Sequence, residues 1–254
     1  MQGGSRRHAL VTGGGKGIGR AVAAGLTALG VKVSVLGRDA ATLNFAIGAG
    51  DALGAIVADV TDPQAVREAV SRAERETPVD ILVNNAGGVE TGPFLRLEDD
   101  VFERQLALNL MSTVRVTRAV LPGMVKRGFG RVINIASTAG LKAYPYVSAY
   151  VAAKHAVVGF TRALALEMAK SGVTVNAICP GYTDTDLVRG SIERISAKSG
   201  GSAKEILSKL TSANPQGRLV HPQEVACVAA WLVSDAAASV NGQAIAVDGG
   251  ETVS

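Results

Sequence analysis

The chain of 254 residues has few aromatic residues, few cysteines and few histidines. Aromatic side chains make up 4% of it, too few for an aromatic-rich binding surface. Cys179 and Cys227 lie far apart in no metal-ligand pattern, so we expect two reduced core thiols rather than a disulfide. His8, His155 and His221 are isolated from one another. The sequence therefore predicts no metal site.

Long apolar runs and long runs of one charge are also missing. No stretch approaches the roughly 18 apolar residues of a membrane span, so we expect no membrane partner. The apolar residues after Ser5-Arg6-Arg7 are too few for the core of a signal peptide, and we expect a cytoplasmic protein. A net charge of +4, from 26 basic and 22 acidic residues without a basic block, indicates no nucleic-acid partner.

What the chain does have is a regular alternation of strand-like and helix-like patterns. Apolar runs predict strands at residues 8–12, 31–36, 56–58, 80–83, 131–136, 174–178 and 244–247. Helical spacing predicts helices at 18–29, 63–77, 102–127, 149–170 and 223–234. This alternation predicts an α/β fold, a doubly wound parallel sheet of about seven strands of the Rossmann type.

We expect residues 1–254 to form a single dinucleotide-binding catalytic domain. The least regular stretch is 184–217, with a middle rich in Ser, Gly and Lys. Both flanks continue the α/β pattern, so this stretch is interpreted as a flexible substrate lid rather than a domain boundary. Trp231, in the last helical stripe, is expected in the core.

A glycine-rich segment joins the first strand to the first helix: Thr12-Gly13-Gly14-Gly15-Lys16-Gly17-Ile18-Gly19. Glycines let the backbone turn tightly and approach a diphosphate, while a helix N-terminus supplies N–H groups and positive dipole. The spacing is G-xxx-G-x-G rather than the common G-x-G-x-x-G. Its position about twenty residues before the end of the second strand predicts a dinucleotide site.

The end of the second strand reads Leu36-Gly37-Arg38. A site specific for NAD would place an acidic residue there, on the ribose hydroxyls. Arg38 can instead bind a 2′-phosphate, with Lys16 as a second cation. We therefore predict that NADP(H) is preferred. NAD(H) stays an alternative, since Asp39 is the next residue.

Three further residues predict proton transfer. Tyr150 and Lys154 are four apart in a helical segment, so they share one helical face. Ser137 follows a buried strand. A phenol beside an ammonium, with a hydroxyl arriving from a strand end, can move a proton on or off a carbonyl or alcohol oxygen.

Taken together, these residues make the chain resemble the short-chain dehydrogenase/reductase family over nearly its whole length. Further matches are Asp59-Val60, Asn84-Asn85-Ala86-Gly87, Asn109 and Pro180-Gly181, in order and at family spacing. The resemblance is nearest to 3-oxoacyl-thioester reductases and to 3-hydroxybutyrate or 3-hydroxyacyl-CoA dehydrogenases.

The resemblance implies a role for each catalytic candidate. Tyr150 would be the general acid in reduction and the base in oxidation. Lys154 would lower the pKa of Tyr150 and hydrogen-bond the nicotinamide ribose. Ser137 would hold the substrate oxygen, and Asn109 would anchor a water between Lys154 and solvent.

The resemblance also implies the cofactor contacts and the assembly. Asp59 and the Val60 backbone would contact adenine, and Asn85, Ala86 and Gly87 would line the adenosine ribose. Thr183 and Thr185, after Pro180-Gly181, would bind the nicotinamide carboxamide. Helices 102–127 and 149–170 resemble those that pair subunits, which implies a homotetramer.

We thus predict an NADP(H)-dependent oxidoreductase that interconverts a ketone and a secondary alcohol. The favoured substrate is a 3-oxoacyl thioester, of CoA or acyl carrier protein, or a related 3-oxo compound. One alternative is an NAD-linked dehydrogenase of a cyclic or aromatic secondary alcohol. A nucleotide-binding regulator without chemistry is disfavoured by the complete Ser, Tyr, Lys and Asn set. Tyr144 and Tyr146 either wall the substrate site or only pack their loop.

Overall fold

A computed structural model describes residues 7–253, apart from the side chains of residues 187, 194, 195 and 197–199. Its centre is a seven-stranded parallel sheet in the order β3-β2-β1-β4-β5-β6-β7. The strands are β1 His8–Thr12, β2 Lys32–Gly37, β3 Gly54–Val57, β4 Ile81–Asn84, β5 Gly130–Ile135, β6 Val173–Pro180 and β7 Ala244–Val247. The predicted doubly wound sheet is confirmed. Ser5 and Arg6, considered above for a signal peptide, lie outside the described residues.

Helices cover both faces of this sheet. They are α1 Gly17–Ala28, α2 Ala40–Gly48, α3 Pro63–Glu76, α4 Asp99–Leu106, α5 Ser112–Arg127, α6 Ser148–Met168, α7 Asp186–Ser199, α8 Ala203–Ser212 and α9 Pro222–Leu232. Successive strand residues point to opposite faces. Val11 and Val83 pack in one apolar cluster with α1, α2 and α9, whereas Leu10 and Leu82 pack in another with α3, α5 and α6.

The helix predicted at 102–127 is longer and is interrupted. It begins at Asp99, where Asp99 and Asp100 add negative charge to the first turn and so favour a helix N-terminus. Between α4 and α5 lies a π-helical turn, Ala107–Met111. π-Helical turns are rare in proteins, and those that occur often lie at functional sites. This one carries Asn109.

Three helices escaped prediction, and two of them lie within the expected lid. α7 and α8 occupy most of residues 184–217, where the sequence showed no regular pattern. Ser202 and Glu205 form a capping box at the start of α8. The predicted irregular stretch is therefore largely helical, while its flexibility stays a prediction. Trp231 is also not a core residue, since it is 45% exposed.

The sheet order places the predicted site at one edge. The chain runs from β1 outward to β3, then returns to the other side of β1 with β4. A crevice opens at the carboxyl ends of the strands where the order reverses in this way. The segments after β1, β4, β5 and β6 all meet there. Within residues 7–253, no helix combines the length and the apolar character that crossing a membrane requires.

Candidate active site

The segment after β1 makes a tight turn, and several of its positions have room only for glycine. Gly13 has φ +64° and its N–H donates to the Leu36 carbonyl at 2.7 Å. A Cβ at Gly19 would collide with the Gly13 carbonyl and the Asn85 amide. The first turn of α1 has no acidic residue and no side-chain cap. Its N–H groups are therefore suited to bind a diphosphate.

The other predicted residues of this segment have separate roles. Gly15 packs on α2, where an added Cβ would lie 2.8 Å from Thr42 Oγ1. Ile18 packs against the apolar cluster beneath α1. Lys16 is exposed just before α1, so its ammonium is accessible to an anion.

At the end of β2, Arg38 and Asp39 differ in their contacts. Arg38 is exposed, with 72% of its side chain accessible and Nη1 3.8 Å from Asp59 Oδ2. The Asp39 carboxylate accepts a hydrogen bond from the Ala41 amide at 2.9 Å and caps α2. Because Asp39 is used in this cap, the side chain free to meet a ribose substituent is the cation of Arg38.

Asp59 and Val60 follow β3. Burial opposes ionisation of Asp59, but hydrogen bonds from the Thr61 amide at 2.8 Å and hydroxyl at 2.7 Å outweigh it and lower the pKa of Asp59. Asp59 is thus a carboxylate that holds its own loop. Val60 is buried. Their predicted contacts with adenine stay predictions.

Tyr150, Lys154 and Ser137 are brought together as predicted. Lys154 Nζ lies 5.6 Å from the centre of the Tyr150 ring and donates to the Ile135 carbonyl at 2.9 Å. The Ser137 hydroxyl lies close enough to the Tyr150 phenol to act against the rise of its pKa. The end of β5 and one face of α6 therefore bring these three side chains together.

Burial shifts the pKa of both ionisable groups. It raises the pKa of Tyr150 to about 12, with a further contribution from Tyr182, and the nearby Ser137 hydroxyl only partly offsets this rise. It lowers the pKa of Lys154 to about 8. We predicted that Lys154 lowers the pKa of Tyr150, but in the protein alone burial is the larger effect. The protein groups thus keep the phenol protonated, which is the form a general acid needs.

Asn109 is held by the segment after β4. Its Nδ2 donates to the Gly88 carbonyl at 2.9 Å, and its Oδ1 accepts from the Gly88 amide at 3.2 Å. A Cβ at Gly87 would lie 2.7 Å from Asn109 Oδ1 and 3.6 Å from Lys154 Nζ. Gly87 therefore keeps open the space between the asparagine and the lysine.

Asn85 supports the glycine segment. Its Nδ2 donates to the carbonyls of Thr12, at 3.0 Å, and Gly13, at 3.1 Å. The amides of Asn85 and Ala86 both donate to Thr12 Oγ1 at 3.0 Å. The side chain expected to line the ribose thus joins the ends of β1 and β4, and a ribose contact by Asn85, Ala86 or Gly87 stays a prediction.

The segment after β6 lies beside the glycine segment. Pro180 ends β6, and the Thr183 hydroxyl donates to the Gly181 carbonyl at 2.9 Å. A Cβ at Gly17 would lie 3.2 Å from Thr185 Cγ2. The predicted diphosphate end and the predicted carboxamide end of the cofactor site are therefore close to one another.

Sequence reasoning missed a polar cluster formed by Thr138, Tyr144 and Glu251. The Tyr144 hydroxyl hydrogen-bonds Glu251 Oε1 at 2.5 Å and Thr138 Oγ1 at 2.8 Å. It has one proton, so the threonine donates to Tyr144 while Tyr144 donates to the carboxylate. Burial raises the pKa of Tyr144. The Tyr144 ring packs edge-on against Tyr182, at 6.3 Å between centres.

No motif in the sequence marks Glu251, which is 1% exposed. Tyr146 lies outside this cluster, 66% exposed and with φ +66°. Across residues 7–253, the His, Cys, Asp and Glu side chains form no group of three that could hold a metal ion. Cys179 is buried and Cys227 is exposed, so both are free but only one is a core thiol.

Comparison with known proteins gives consistent results. Residues 7–195 match the family described as short chain dehydrogenase. The chain is 40% identical to a D-beta-hydroxybutyrate dehydrogenase of Cupriavidus necator, covering 96% of this chain and 97% of the relative. It is 38% identical to an acetoacetyl-CoA reductase of Shinella zoogloeoides, covering 96% and 98%. A solved structure of an actinorhodin polyketide ketoreductase variant with NADPH superposes with a TM-score of 0.93 at 38% identity, covering 97% of each chain.

Proposed function

The chain belongs to the short chain dehydrogenase family and is an oxidoreductase of ketone and secondary alcohol groups, and from this premise we propose that it is an NADPH-dependent ketoreductase. The observation that carries the proposal is that the side chains of Ser137, Tyr150 and Lys154 lie together where β5 ends beside α6. The favoured substrate is a 3-oxoacyl thioester or a related 3-oxo compound.

The residues at the carboxyl edge of the sheet fit a dinucleotide with a 2′-phosphate. The uncapped start of α1 offers N–H groups to the diphosphate, and exposed Arg38 and Lys16 offer cations to the phosphate. Asp39 is committed to its helix cap. NADPH in the related ketoreductase structure supports the same choice. NAD(H) would fit less well, because the Asp39 carboxylate at this strand end is engaged through Oδ1 in the cap of α2.

Bound NADPH would supply the hydride to the carbonyl carbon. Tyr150 donates its proton to the carbonyl oxygen, so that hydride and proton together convert the ketone to an alcohol. Ser137 donates a hydrogen bond to the same oxygen. Lys154, held by the Ile135 carbonyl, positions the ribose and supports the phenolate that forms. Asn109, held by Gly88, keeps the path from Lys154 toward solvent in place.

The identity of the substrate is a separate question. Relatives named for a free hydroxy acid and for a CoA thioester are about equally similar to the chain. We favour the thioester because the motifs of the chain resemble those of 3-oxoacyl-thioester reductases and one relative is named an acetoacetyl-CoA reductase. The alternative of a cyclic or aromatic alcohol draws some support from the paired rings of Tyr144 and Tyr182.

We further propose that the chain works as one domain in a homotetramer, with α7 and α8 as its lid. Apolar side chains of α5, α6 and the turn before α5 support the assembly, because they are exposed in a single chain and would be buried by a partner: Met111, Val125 and Leu166. Size-exclusion chromatography with light scattering measures the subunit number.

A cofactor and substrate screen tests the function. The loss of NADPH absorbance is followed with methyl acetoacetate, an acetoacetyl thioester and a cyclic ketone, and then with NADH in place of NADPH. We expect turnover with NADPH and the 3-oxo compounds. Tight NADPH binding without turnover of any ketone would contradict the proposal and favour a nucleotide-binding regulator.

A further inference from the structure

Two tyrosines meet near the catalytic phenol, one from the segment after β5 and one from the segment after β6. The rings of Tyr144 and Tyr182 pack edge-on, with 6.3 Å between their centres. The Tyr144 hydroxyl is 2.8 Å from Oγ1 of Thr138, which directly follows Ser137 in the chain. Tyr182 is near enough to Tyr150 to contribute to the rise in the pKa of that phenol. The pair therefore lies close to the groups that would hold a carbonyl oxygen of the substrate.

The backbone fixes the position of Tyr182. Its carbonyl accepts a hydrogen bond from the Val220 amide at 2.9 Å, and the Val220 carbonyl accepts one from the Asp184 amide at 2.9 Å. These two bonds form a parallel bridge between Thr183 and Val220, which joins the segment after β6 to the segment before α9. The bridge and the packing on Tyr144 together hold the Tyr182 side chain at this place.

The two phenols differ in how their hydroxyl groups are used. The Tyr144 hydroxyl is engaged twice, with Glu251 and with Thr138. The Tyr182 hydroxyl makes no hydrogen bond with any residue in the part of the chain that the structure describes. Tyr182 is half-buried, and its hydroxyl is not enclosed. Its hydroxyl is therefore available to a small molecule, to which a phenol can donate a hydrogen bond.

The proposed substrates have a second oxygen that needs a partner. A 3-oxo ester or thioester has its ketone and its second carbonyl on either side of a single methylene group. When Ser137 and Tyr150 hold the ketone oxygen, the second carbonyl oxygen therefore lies nearby. A simple ketone of the same length lacks this oxygen, so a donor placed there separates the two classes of substrate.

We propose that Tyr182 is a specificity residue whose hydroxyl donates a hydrogen bond to the second carbonyl of a 3-oxo substrate and so favours 3-oxo compounds over simple ketones. The inference rests on the proposed ketoreductase function and assigns recognition of the 3-oxo group to one side chain. A hydrogen bond between neutral groups corresponds to about a threefold to tenfold preference. The preference is not larger, because water can bind the half-buried hydroxyl when a simple ketone occupies the site.

The test compares methyl acetoacetate with 2-hexanone, a methyl ketone of similar length without the second carbonyl. The two ketones differ in intrinsic reactivity, so the informative quantity is the change in the ratio of their kcat/KM values on mutation. Tyr182→Phe keeps the ring that packs on Tyr144 and removes only the hydroxyl. We expect this variant to lower the ratio about threefold to tenfold, with kcat/KM for 2-hexanone within about twofold of the wild type. Tyr146→Phe, the same change at an exposed tyrosine outside the pair, should leave the ratio unaltered.

Three results with Tyr182→Phe would overturn the proposal. The first is an unchanged ratio. The second is an equal loss of kcat/KM with both ketones, which indicates a structural role. The third is a loss of NADPH affinity, which places the hydroxyl on the cofactor. If 2-hexanone is not reduced, its inhibition constant against the ester takes the place of its kcat/KM and should be the same in both proteins.

The wild type decides alone if Tyr182→Phe does not fold. Methyl 3-hydroxybutyrate should then inhibit the wild type at least about threefold more strongly than 2-hexanol, since only the ester has the second carbonyl. Equal inhibition by the two alcohols would overturn the proposal. No turnover of any ketone by the wild type, with NADPH bound, would instead refute the ketoreductase function on which the inference rests.

Discussion

Replacing Arg38 by aspartate should reverse the cofactor preference. Arg38 is the exposed cation at the end of β2, and only a weak contact with Asp59 at 3.8 Å restrains it. Exposed ion pairs of this kind contribute about 0–1 kcal/mol, so little is lost when Arg38 turns to a phosphate. The neighbouring Asp39 already caps α2, and the change should leave that cap intact.

The expected magnitude follows from two contributions. A hydrogen bond to a charged group contributes about 1.5–3 kcal/mol, and the exposure of Arg38 favours the lower value. The new carboxylate would then repel the 2′-phosphate by about 1–2 kcal/mol in a largely aqueous setting. Together these weaken NADPH binding by about a hundredfold. NADH has no 2′-phosphate and should bind within about threefold of its original affinity.

The assay is the ratio of kcat/KM for NADPH and NADH, with the two dissociation constants measured by fluorescence titration. Raising the ionic strength should reduce the wild-type preference, because exposed charges are screened beyond about 10 Å at 0.1 M salt. Arg67→Asp, the same substitution on the exposed face of α3, is the matched control. An unchanged preference for NADPH in Arg38→Asp would refute the phosphate assignment.

Two further perturbations probe other parts of the structure. Gly87→Ala should place a methyl group between Asn109 and Lys154. We expect this variant to fold and its kcat to fall about tenfold to hundredfold. A normal kcat would show that catalysis does not need this space. Burial lowers the pKa of His8 in the folded protein. Below about pH 6.5 the unfolded chain therefore binds a proton at this histidine more readily than the folded chain does. The free energy of unfolding should decrease as the pH is lowered through this range. Urea unfolding between about pH 8 and pH 5.5 measures the free energy of unfolding as a function of pH. The same pH dependence in His8→Gln would contradict the role given to His8.

Much of the fold could be predicted because buried parallel strands have a strong apolar signal. All seven strands were located to within two residues of their observed bounds. Helix α2 was missed, since its residues are apolar almost throughout and form no helical stripe, and its main signal is the single cap at Asp39. The start of α8 does have a signal in the sequence, the spacing of Ser202 and Glu205 that form its capping box.

The sequence predicted which residues form the site, but it did not predict how their surroundings shift their pKa values. Tyr150 and Lys154 were placed on one helical face by their spacing, and Ser137 was placed with them by its position at a strand end and by the family resemblance. The pKa of Tyr150 was not predictable in this way, because it depends on burial by distant segments. Glu251 was not predictable either, since it reaches the site through the fold of the C-terminal segment rather than through a motif.

The most direct test of the account is the rate of NADPH oxidation in a single turnover by Tyr150→Phe, with Tyr146→Phe, an exposed tyrosine just before α6, as the control. Loss of a general acid slows a reaction by about 10²–10⁴-fold. We predict a loss of at least about a hundredfold in Tyr150→Phe, with NADPH affinity near normal, and a normal rate in Tyr146→Phe. A Tyr150→Phe variant that reduces the ketone at close to the wild-type rate would contradict proton donation by Tyr150.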